Sequence, residues 1–184
     1  EARKKYNGRI NKDLLEMESL VETLLQYAKL DESNVHLNKQ KIELSGFVKQ
    51  LFADTTNPTI SIRYSFPDAD TSIEADPNYL SMQLNNLMDN ALKHARGIVA
   101  VTVNAGSNKL MLIIEDDGDG IPESDREDVI KPFWRGKQRL ELKGHGMGLA
   151  IVAKIAEWFG AELIIDKSEV LGGAAVAGGV VGVL

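Results

Sequence analysis

The chain has 184 residues, of which 43% are hydrophobic and 26% charged, a composition typical of one globular domain with an appendage. The absence of cysteine excludes disulfides, thiolate chemistry and cysteine-based zinc sites, and the net charge of −6 argues against general nucleic-acid binding. No stretch approaches the roughly 20 apolar residues of a membrane helix and no signal peptide is visible, so we expect a soluble piece of protein; the lack of cysteine fits the cytoplasm.

The first 31 residues or so form one long helical pattern with a narrow apolar seam. Its apolar residues alternate in steps of four and three, the spacing of a coiled coil or helical bundle, and charged residues lie between them. They are Ile10, Leu14, Met17, Val21, Leu24 and Ala28. The seam predicts a partner helix from a missing part of the polypeptide, from a second copy, or from both. The alternative is a helix that packs on its own domain.

Short elements follow the polar segment from Asp31 to Asn38, which ends the helix. We predict a strand over residues 41–44, a helix that begins at Ser45 as N-cap and runs to about Ala53, a half-buried strand over residues 59–66, and a brief strand over residues 72–75. The half-burial is inferred from the alternation of Ile60, Ile62, Tyr64 and Phe66.

The next helix has two different faces. Asp76 is its predicted cap and Pro77 its first residue. One face is apolar and predicts packing on a core; it carries Leu80, Leu84, Leu87, Met88, Ala91 and Leu92. The other is a polar stripe of Gln83, Asn86, Asn90, Lys93 and His94. Neutral amide oxygens beside one positive charge suit magnesium triphosphate, because amide oxygens are hard ligands. The alternative is a polar face without a ligand.

Two strands and an acidic turn come next. We predict strands over residues 98–104 and 110–115, joined by a turn at residues 105–108, in a mixed sheet. The second strand is continuously apolar and should lie mid-sheet. It leads into residues 115–122, where glycines allow close approach of a flat ligand and a carboxylate can accept from an exocyclic amine. A simple turn is the alternative; calcium is disfavoured because the EF-hand spacing is not met.

Residues 122–143 are long and charged for a plain loop, which predicts a mobile flap over a negative ligand. Between Lys131 and Lys143 it carries five basic residues, Lys131, Arg135, Lys137, Arg139 and Lys143, against one acid, Glu141. The flap ends at the glycine-rich segment 144–149, which opens a helix running to Phe159 and ending at Gly160. Glycines at a helix N-terminus predict a phosphate site. The dinucleotide fingerprint and the Walker motif are both absent.

Four of these segments, in this order, resemble the sequence boxes of bacterial sensor histidine kinases. Residues 86–94 resemble the N box, residues 116–122 the Asp-x-Gly-x-Gly-Ile-Pro box, residues 132–135 the Pro-Phe-x-Arg motif, and residues 144–152 the last glycine box. Asp76-Pro77 and Ser168-Glu169 also fit, and Ser168-Glu169 followed by Gly172-Gly173-Ala174 is similar to RstB-like kinases. The resemblance covers about residues 10–175.

The resemblance implies a two-layer α/β sandwich of the Bergerat type, with a mixed sheet of about five strands backed by helices and with ATP held between the helices and a lid. Residues 1–34 would be the second helix of a dimerisation and phosphoacceptor hairpin, and residues 35–184 the ATP-binding domain. It implies that Asn90 binds Mg²⁺, that Asn86, Lys93 and His94 lie along the phosphates, and that Asp116 receives the adenine amino group. Asn86, Lys93 and Arg135 would be catalytic. The other implied ATP contacts are Gly118, Gly120, Ile121, Phe133, Arg135, Gly144, Gly146, Met147, Gly148 and Leu149.

The implied function is transfer of the γ-phosphate of ATP to an acceptor histidine, for relay to a response-regulator aspartate. The partners would be ATP, a receiver domain and a second copy bound through the hairpin, without nucleic acid, in the cytoplasmic portion of an inner-membrane sensor kinase. None of His36, His94 and His145 lies in the family's acceptor context, so the acceptor should lie upstream. Two alternatives stay open: a non-catalytic module that binds nucleotide or a helix, and a serine kinase of the anti-sigma type.

Two departures from related patterns matter. Asn86 stands where DNA gyrase, the mismatch-repair ATPases and the heat-shock chaperone ATPases carry a Glu that activates water, so no obvious general base for hydrolysis exists. Residues 174–184 are low-complexity and free of aromatics, unlike the family's closing strand. We expect a weak edge strand or a tail that is not native sequence, and we assign it no role.

Overall fold

The computed structural model describes residues 2–30, 36–106, 110–136 and 144–180. The chain divides into two compact units, Glu1–Val35 and His36–Leu184. The first contains α1 (Ala2–Leu30), the predicted long helix. Ile10, Leu14, Met17 and Val21 are each about half exposed on it, so the apolar seam is open to a partner. Among the described residues, no helix is both long enough and apolar enough to cross a membrane.

The second unit is a two-layer arrangement of helices on a mixed sheet. Its elements are β1 (Gln40–Glu43), α2 (Leu44–Leu51), β2 (Ser61–Ser65), β3 (Ser72–Ala75), α3 (Pro77–His94), β4 (Ile98–Ala105), β5 (Leu110–Asp116), a short 3-10 helix (Glu123–Asp125), α4 (Gly148–Phe159), β6 (Glu162–Lys167) and β7 (Ala174–Val180). Five strands form one sheet in the order β2-β4-β5-β7-β6, and β1 pairs with β3 in a separate two-stranded sheet. Among the described strand pairs of the larger sheet, β2–β4 is parallel and the other three are antiparallel.

The central position predicted for β5 is confirmed. Leu110, Leu112 and Ile114 are buried on one face of the strand, and Asp116 continues that face at its end. Helix α3 packs on β5 and on α4, while α4 packs on β6 and β7. The core therefore lies between the two helices and one face of the sheet, and it brings Asp116 to the edge of that layer.

The cap of α2 differs from the prediction. Glu43, rather than Ser45, caps the helix: its carboxylate accepts from the backbone N–H groups of Ser45 at 3.0 Å and Gly46 at 2.6 Å. The Thr71 hydroxyl also donates to Glu43, and this bond is the main reason why the pKa of the Glu43 carboxyl lies below its ordinary value. Ser45 instead shares a hydroxyl hydrogen bond of 2.9 Å with Thr71, which only the tertiary fold brings near.

Strand β2 is shorter and more exposed than predicted, because it is an edge strand with β4 as its neighbour in the sheet. Tyr64 is 41% exposed. Its ring stacks on Phe66 with centroids 5.9 Å apart, and the Lys49 ammonium lies 4.9 Å from the centre of the Phe66 ring.

The C-terminal strand is the largest correction. β7 is not an edge strand but lies between β5 and β6, so that Ala177 is opposite Ile113 on one side and Ile164 on the other. Ala174, Val176 and Ala177 are buried. Backbone hydrogen bonds form the ladder whatever the side chains are, which is why weak composition did not exclude an interior position. The prediction also missed β6; residues 181–184 lie outside the described residues.

The first part of the predicted flap is folded. It contains the 3-10 helix, Val129 is buried, and an Arg126 guanidinium nitrogen lies 2.8 Å from the Asp166 carboxylate on β6. The basic residues Lys137, Arg139 and Lys143 lie outside the described residues. So do the segment from Asp31 to Val35 and the hairpin turn at residues 107–109.

Candidate functional site

Helix α3 is placed by its cap and its apolar face. As predicted, Asp76 caps it and Pro77 is its first residue. The Asp76 carboxylate accepts from the backbone N–H of Asn78 at 2.9 Å and of Asn38 at 2.8 Å. Because one face of α3 is buried, the opposite face is directed away from the core. That face carries Asn86, Asn90, Lys93 and His94.

Gln83 was predicted to lie in the polar stripe, and this prediction is wrong. Its side chain is buried, and its amide nitrogen lies 3.4 Å from the carbonyl oxygen of Val152, to which it donates. Gln83 therefore fastens α3 to α4 and does not face a ligand. Burial of a polar side chain needs such a partner, and the partner lies 69 residues away in the sequence.

Asn86 meets the glycine loop, residues 144–148. Its amide nitrogen donates to the Met82 carbonyl at 2.8 Å, so its amide oxygen points away from that bond. This oxygen lies 3.3 Å from the position that a Cβ would take on Gly148. The Asn86 oxygen and the start of α4 therefore face each other at close range.

Lys93 meets the other end of the same loop. Its ammonium nitrogen lies 3.3 Å from the Cβ position of Gly144, which has φ +135° and therefore favours glycine. Asn90 is half-buried on the helical turn between Asn86 and Lys93. The two ends of the loop thus lie close to Lys93 and Asn86 on the polar face of α3.

The N-terminus of α4 has no side-chain cap, and Met147 occupies the cap position. Uncapped N–H groups and the positive end of the helix dipole favour an anion there. The side chains of Met147 and Leu149 are buried in the core, so we restrict their predicted ATP contact to the backbone.

Asp116 is buried at the head of the acidic turn, residues 116–120. One carboxylate oxygen accepts from the backbone N–H of Gly118 at 2.8 Å and, at 3.5 Å, from that of Ala174. A Cβ on Gly118 would overlap the carbonyl oxygen of His94. The acidic turn therefore lies directly against the C-terminal end of α3.

Asp117 strengthens that junction, and the sequence had not singled it out. Its carboxylate accepts from the backbone N–H groups of Arg96 at 2.7 Å and Gly97 at 3.0 Å. Burial opposes its ionisation, but backbone N–H groups of Gly97, Ile98 and Arg96 outweigh it and lower the pKa of the carboxyl. Arg96 also pairs with Asp119 at the surface. In the sequence, the only indication that Asp117 would bind this backbone was its position as the second Asp of Asp-Asp-Gly.

The remaining predicted residues lie around the start of β7 and beside the glycine loop. Gly120, at φ +75°, has its Cβ position 3.3 Å from the Gly173 carbonyl oxygen, and Ile121 is half-buried beside it in sequence. Gly146, at φ +70°, has its Cβ position 2.5 Å from the Trp134 carbonyl oxygen. Phe133 and Arg135 are exposed, and Phe133 has a positive φ of 63°.

Two other features bear on the chemistry. A groove of about 330 Å³ lies between the end of α2 and β2, and no predicted site residue lines it. Across the described residues, no group of three or more His, Cys, Asp or Glu side chains could hold a metal ion.

Known proteins resemble this chain in sequence and fold. Residues 75–179 match the family described as histidine kinase-, DNA gyrase B-, and HSP90-like ATPase. The sensor protein RstB of Escherichia coli K12 is 34% identical over 90% of this chain and 39% of its own length. The sensor histidine kinase WalK of Bacillus subtilis is 30% identical over 82% of this chain and 26% of its own length. The chain therefore spans about two fifths or less of these two relatives.

Solved structures agree on the fold. Full-length ShkA in complex with AMPPNP superposes with a TM-score of 0.76 at 23% identity, over 90% of this chain and 36% of that one. The histidine kinase AdeS of Acinetobacter baumannii superposes with a TM-score of 0.74 at 19% identity, over 93% of this chain and 81% of that one. Because the matched segment of sequence contains α3, the acidic turn and the glycine loop, and covers more than half of the chain, the chain belongs to the family of histidine kinase-, DNA gyrase B- and HSP90-like ATPases.

Proposed function

We propose that this chain binds ATP with Mg²⁺ and transfers the γ-phosphoryl group to a histidine on a partner helix. The observation that carries the proposal is the double approach of α3 to the glycine loop: the Asn86 oxygen and the Lys93 ammonium nitrogen each lie 3.3 Å from the Cβ position of a loop glycine, Gly148 and Gly144 respectively. An amide oxygen, an ammonium group and an uncapped helix N-terminus then converge on one strip of surface. This set of groups suits a polyphosphate better than any neutral ligand.

Within this proposal the base lies at the acidic turn. The Asp116 carboxylate would accept a hydrogen bond from the amino group of adenine, and Gly118 and Gly120 would allow the ring to approach the backbone. His94 would continue the phosphate side, because it follows Lys93 at the end of α3. The base and the phosphates would thus be recognised on opposite sides of the junction between the end of α3 and the acidic turn.

The donor groups fit Mg²⁺. The amide oxygen of Asn90 is a hard neutral ligand, and Mg²⁺ commonly takes one or two protein ligands and fills its other positions with water and phosphate oxygens. When bound, the ion neutralises charge on the transferring group. Lys93 would neutralise charge from the protein side, and Arg135 would add a second positive charge from the segment beside the glycine loop.

The chain's own contribution to transfer would be positioning. Asn86 cannot take a proton from water, and its amide nitrogen is already used by the Met82 carbonyl. Phosphoryl transfer needs alignment and charge neutralisation more than a strong base. An imidazole nitrogen would form the new N–P bond as the bond to the ADP oxygen breaks.

The partner helix would come from the hairpin of which α1 is one half. Its exposed seam of Ile10, Leu14, Met17 and Val21 supports a helical partner in a homodimer. We further propose that a response-regulator receiver domain takes the phosphoryl group, and that the chain is the cytoplasmic part of a membrane sensor. These steps are proposed for a full-length sensor kinase; the chain itself matches about two fifths of the length of RstB.

The test mixes this chain with a separate acceptor-helix hairpin and ATP labelled at the γ-phosphate. We expect acid-labile label on the hairpin histidine, and none with Asn90→Ala. Bound ATP without any transfer would favour the non-catalytic regulatory module. Acid-stable label would favour the serine kinase. The control is Asn85→Ala, because Asn85 is exposed on the same helix outside the polar stripe.

A further inference from the structure

The turn between β6 and β7, residues 168–173, carries a sequence motif that the proposed function does not use. Ser168 begins it, and its side chain is buried. The Ser168 hydroxyl donates to the Glu115 carboxylate at 2.8 Å and accepts from the Leu171 N–H at 2.8 Å. Both hydrogen-bonding roles of this hydroxyl are therefore in use.

The backbone of Ser168 closes the same turn. Its N–H donates to the Gly173 carbonyl at 2.8 Å, and its carbonyl accepts from the Gly172 N–H at 3.0 Å. Gly172 has φ +84°, a conformation that favours glycine. Ser168 thus fixes where Gly173 lies.

The backbone of Gly173 packs closely against the acidic turn. A Cβ there would overlap the Asp116 carbonyl oxygen, and it would lie 2.5 Å from the Gly118 nitrogen and 2.6 Å from an Asp116 carboxylate oxygen. The next residue, Ala174, directs its N–H at that same carboxylate oxygen, 3.5 Å away. The turn therefore packs against the group that we assign to the base.

We propose that Ser168 and Gly173 are positioning residues that determine base specificity, by fixing the orientation of the Asp116 carboxylate. The inference rests on the proposed function, in which Asp116 faces the base. Adenine presents an amino group that donates to a fixed carboxylate oxygen, whereas guanine presents a carbonyl oxygen at that position. A carboxylate free to rotate can instead accept from the N1–H and 2-amino groups of guanine. Fixing it excludes that pairing, which is how a site discriminates between similar ligands.

The experiment compares the dissociation constants of ATP, GTP and inorganic tripolyphosphate for the whole chain and for Ser168→Ala. We expect the ratio of GTP to ATP dissociation constants to fall by about tenfold, the effect of one lost hydrogen bond on binding. Tripolyphosphate affinity should stay unchanged, because it reports only the phosphate side. Ser168→Thr keeps the hydroxyl and should restore the ratio. Ser65→Ala, an exposed serine on β2, is the matched control.

Gly173→Ala should lower the ratio further, since its Cβ meets backbone atoms; should it fail to fold, Ser168→Ala decides alone. A folded Ser168→Ala chain with an unchanged ratio overturns the inference. So does equal weakening of all three ligands, which would indicate general destabilisation. If the unaltered chain binds neither ATP nor tripolyphosphate, the proposed function itself is wrong. If it binds tripolyphosphate but does not prefer ATP to GTP, only the base assignment and this inference are wrong.

Discussion

The two sides of the candidate site are built differently. On the proposed phosphate side, Lys93 is exposed and Asn86 and Asn90 are half-buried, and among the described residues no hydrogen bond joins α3 to the glycine loop. On the proposed base side, Asp116 is buried, and backbone N–H groups from the acidic turn and from the start of β7 hold one of its oxygens. A polyphosphate is recognised through charge, which tolerates small movements. A base is recognised through directional hydrogen bonds, which need fixed acceptors.

The largest effect should come from the phosphate side. We expect Asn90→Ala to weaken MgATP binding at least about a hundredfold, close to 3 kcal/mol, because the cation loses its proposed protein ligand. Isothermal titration calorimetry with ATP and Mg²⁺ measures this. Asn85→Ala should bind as the unaltered chain does. Full affinity in Asn90→Ala would show that this side of the site is assigned to the wrong residues.

The base side should respond selectively. Asp116→Ala removes the acceptor for the adenine amino group, and we expect ATP to weaken by about tenfold to a hundredfold while tripolyphosphate keeps its affinity. Competition binding with ATP, GTP and tripolyphosphate measures the difference. If Asp116→Ala weakens the binding of ATP and of tripolyphosphate equally, the base and the phosphates are not recognised by separate groups of residues, and the difference proposed here between the two sides is wrong.

The junction between the sides should matter for stability. Gly118→Ala would drive a methyl group into the His94 carbonyl, and we expect it to lower the free energy of unfolding by about 1–3 kcal/mol, as overpacking does. Urea unfolding followed by circular dichroism measures it. Gly97→Ala is the control, because its Cβ would meet Asp117 at an ordinary 3.6 Å. If Gly118→Ala and Gly97→Ala are equally stable, the acidic turn can move to accommodate the added methyl group, and the prediction is wrong.

The smallest effect should appear as a pH dependence at Asp117. Its pKa is lower in the folded chain than its ordinary value of 3.8, so its stabilisation is fully present above that value and is lost as pH falls through the folded pKa. We expect Asp117→Asn to reduce the acid sensitivity of unfolding below about pH 4. Unfolding free energies between pH 3 and pH 7 measure this, with Asp68→Asn, an exposed acid, as control. Parallel pH curves for Asp117→Asn and the unaltered chain would contradict it.

Local signals predicted much of the fold. The Asp76 cap, Pro77, the strand at residues 72–75 and the end of α4 at Gly160 are set by neighbouring residues, and all four are present. Errors fell where a distant residue decided the outcome. Thr71 and the Glu43 carboxylate displaced Ser45 as the cap, and the Val152 carbonyl drew Gln83 into the helix interface.

By itself, the sequence determined the family, the helix faces and the short list of candidate ligand residues, because periodicity, caps and ordered motifs are properties of neighbouring residues. The tertiary structure alone decided that β7 lies inside the sheet, that Asp117 ties the acidic turn to the end of α3, and that Gly173 presses on Asp116. Strand order and backbone contacts between residues some 20 to 57 positions apart are consequences of how the whole chain packs, and no local pattern encodes them.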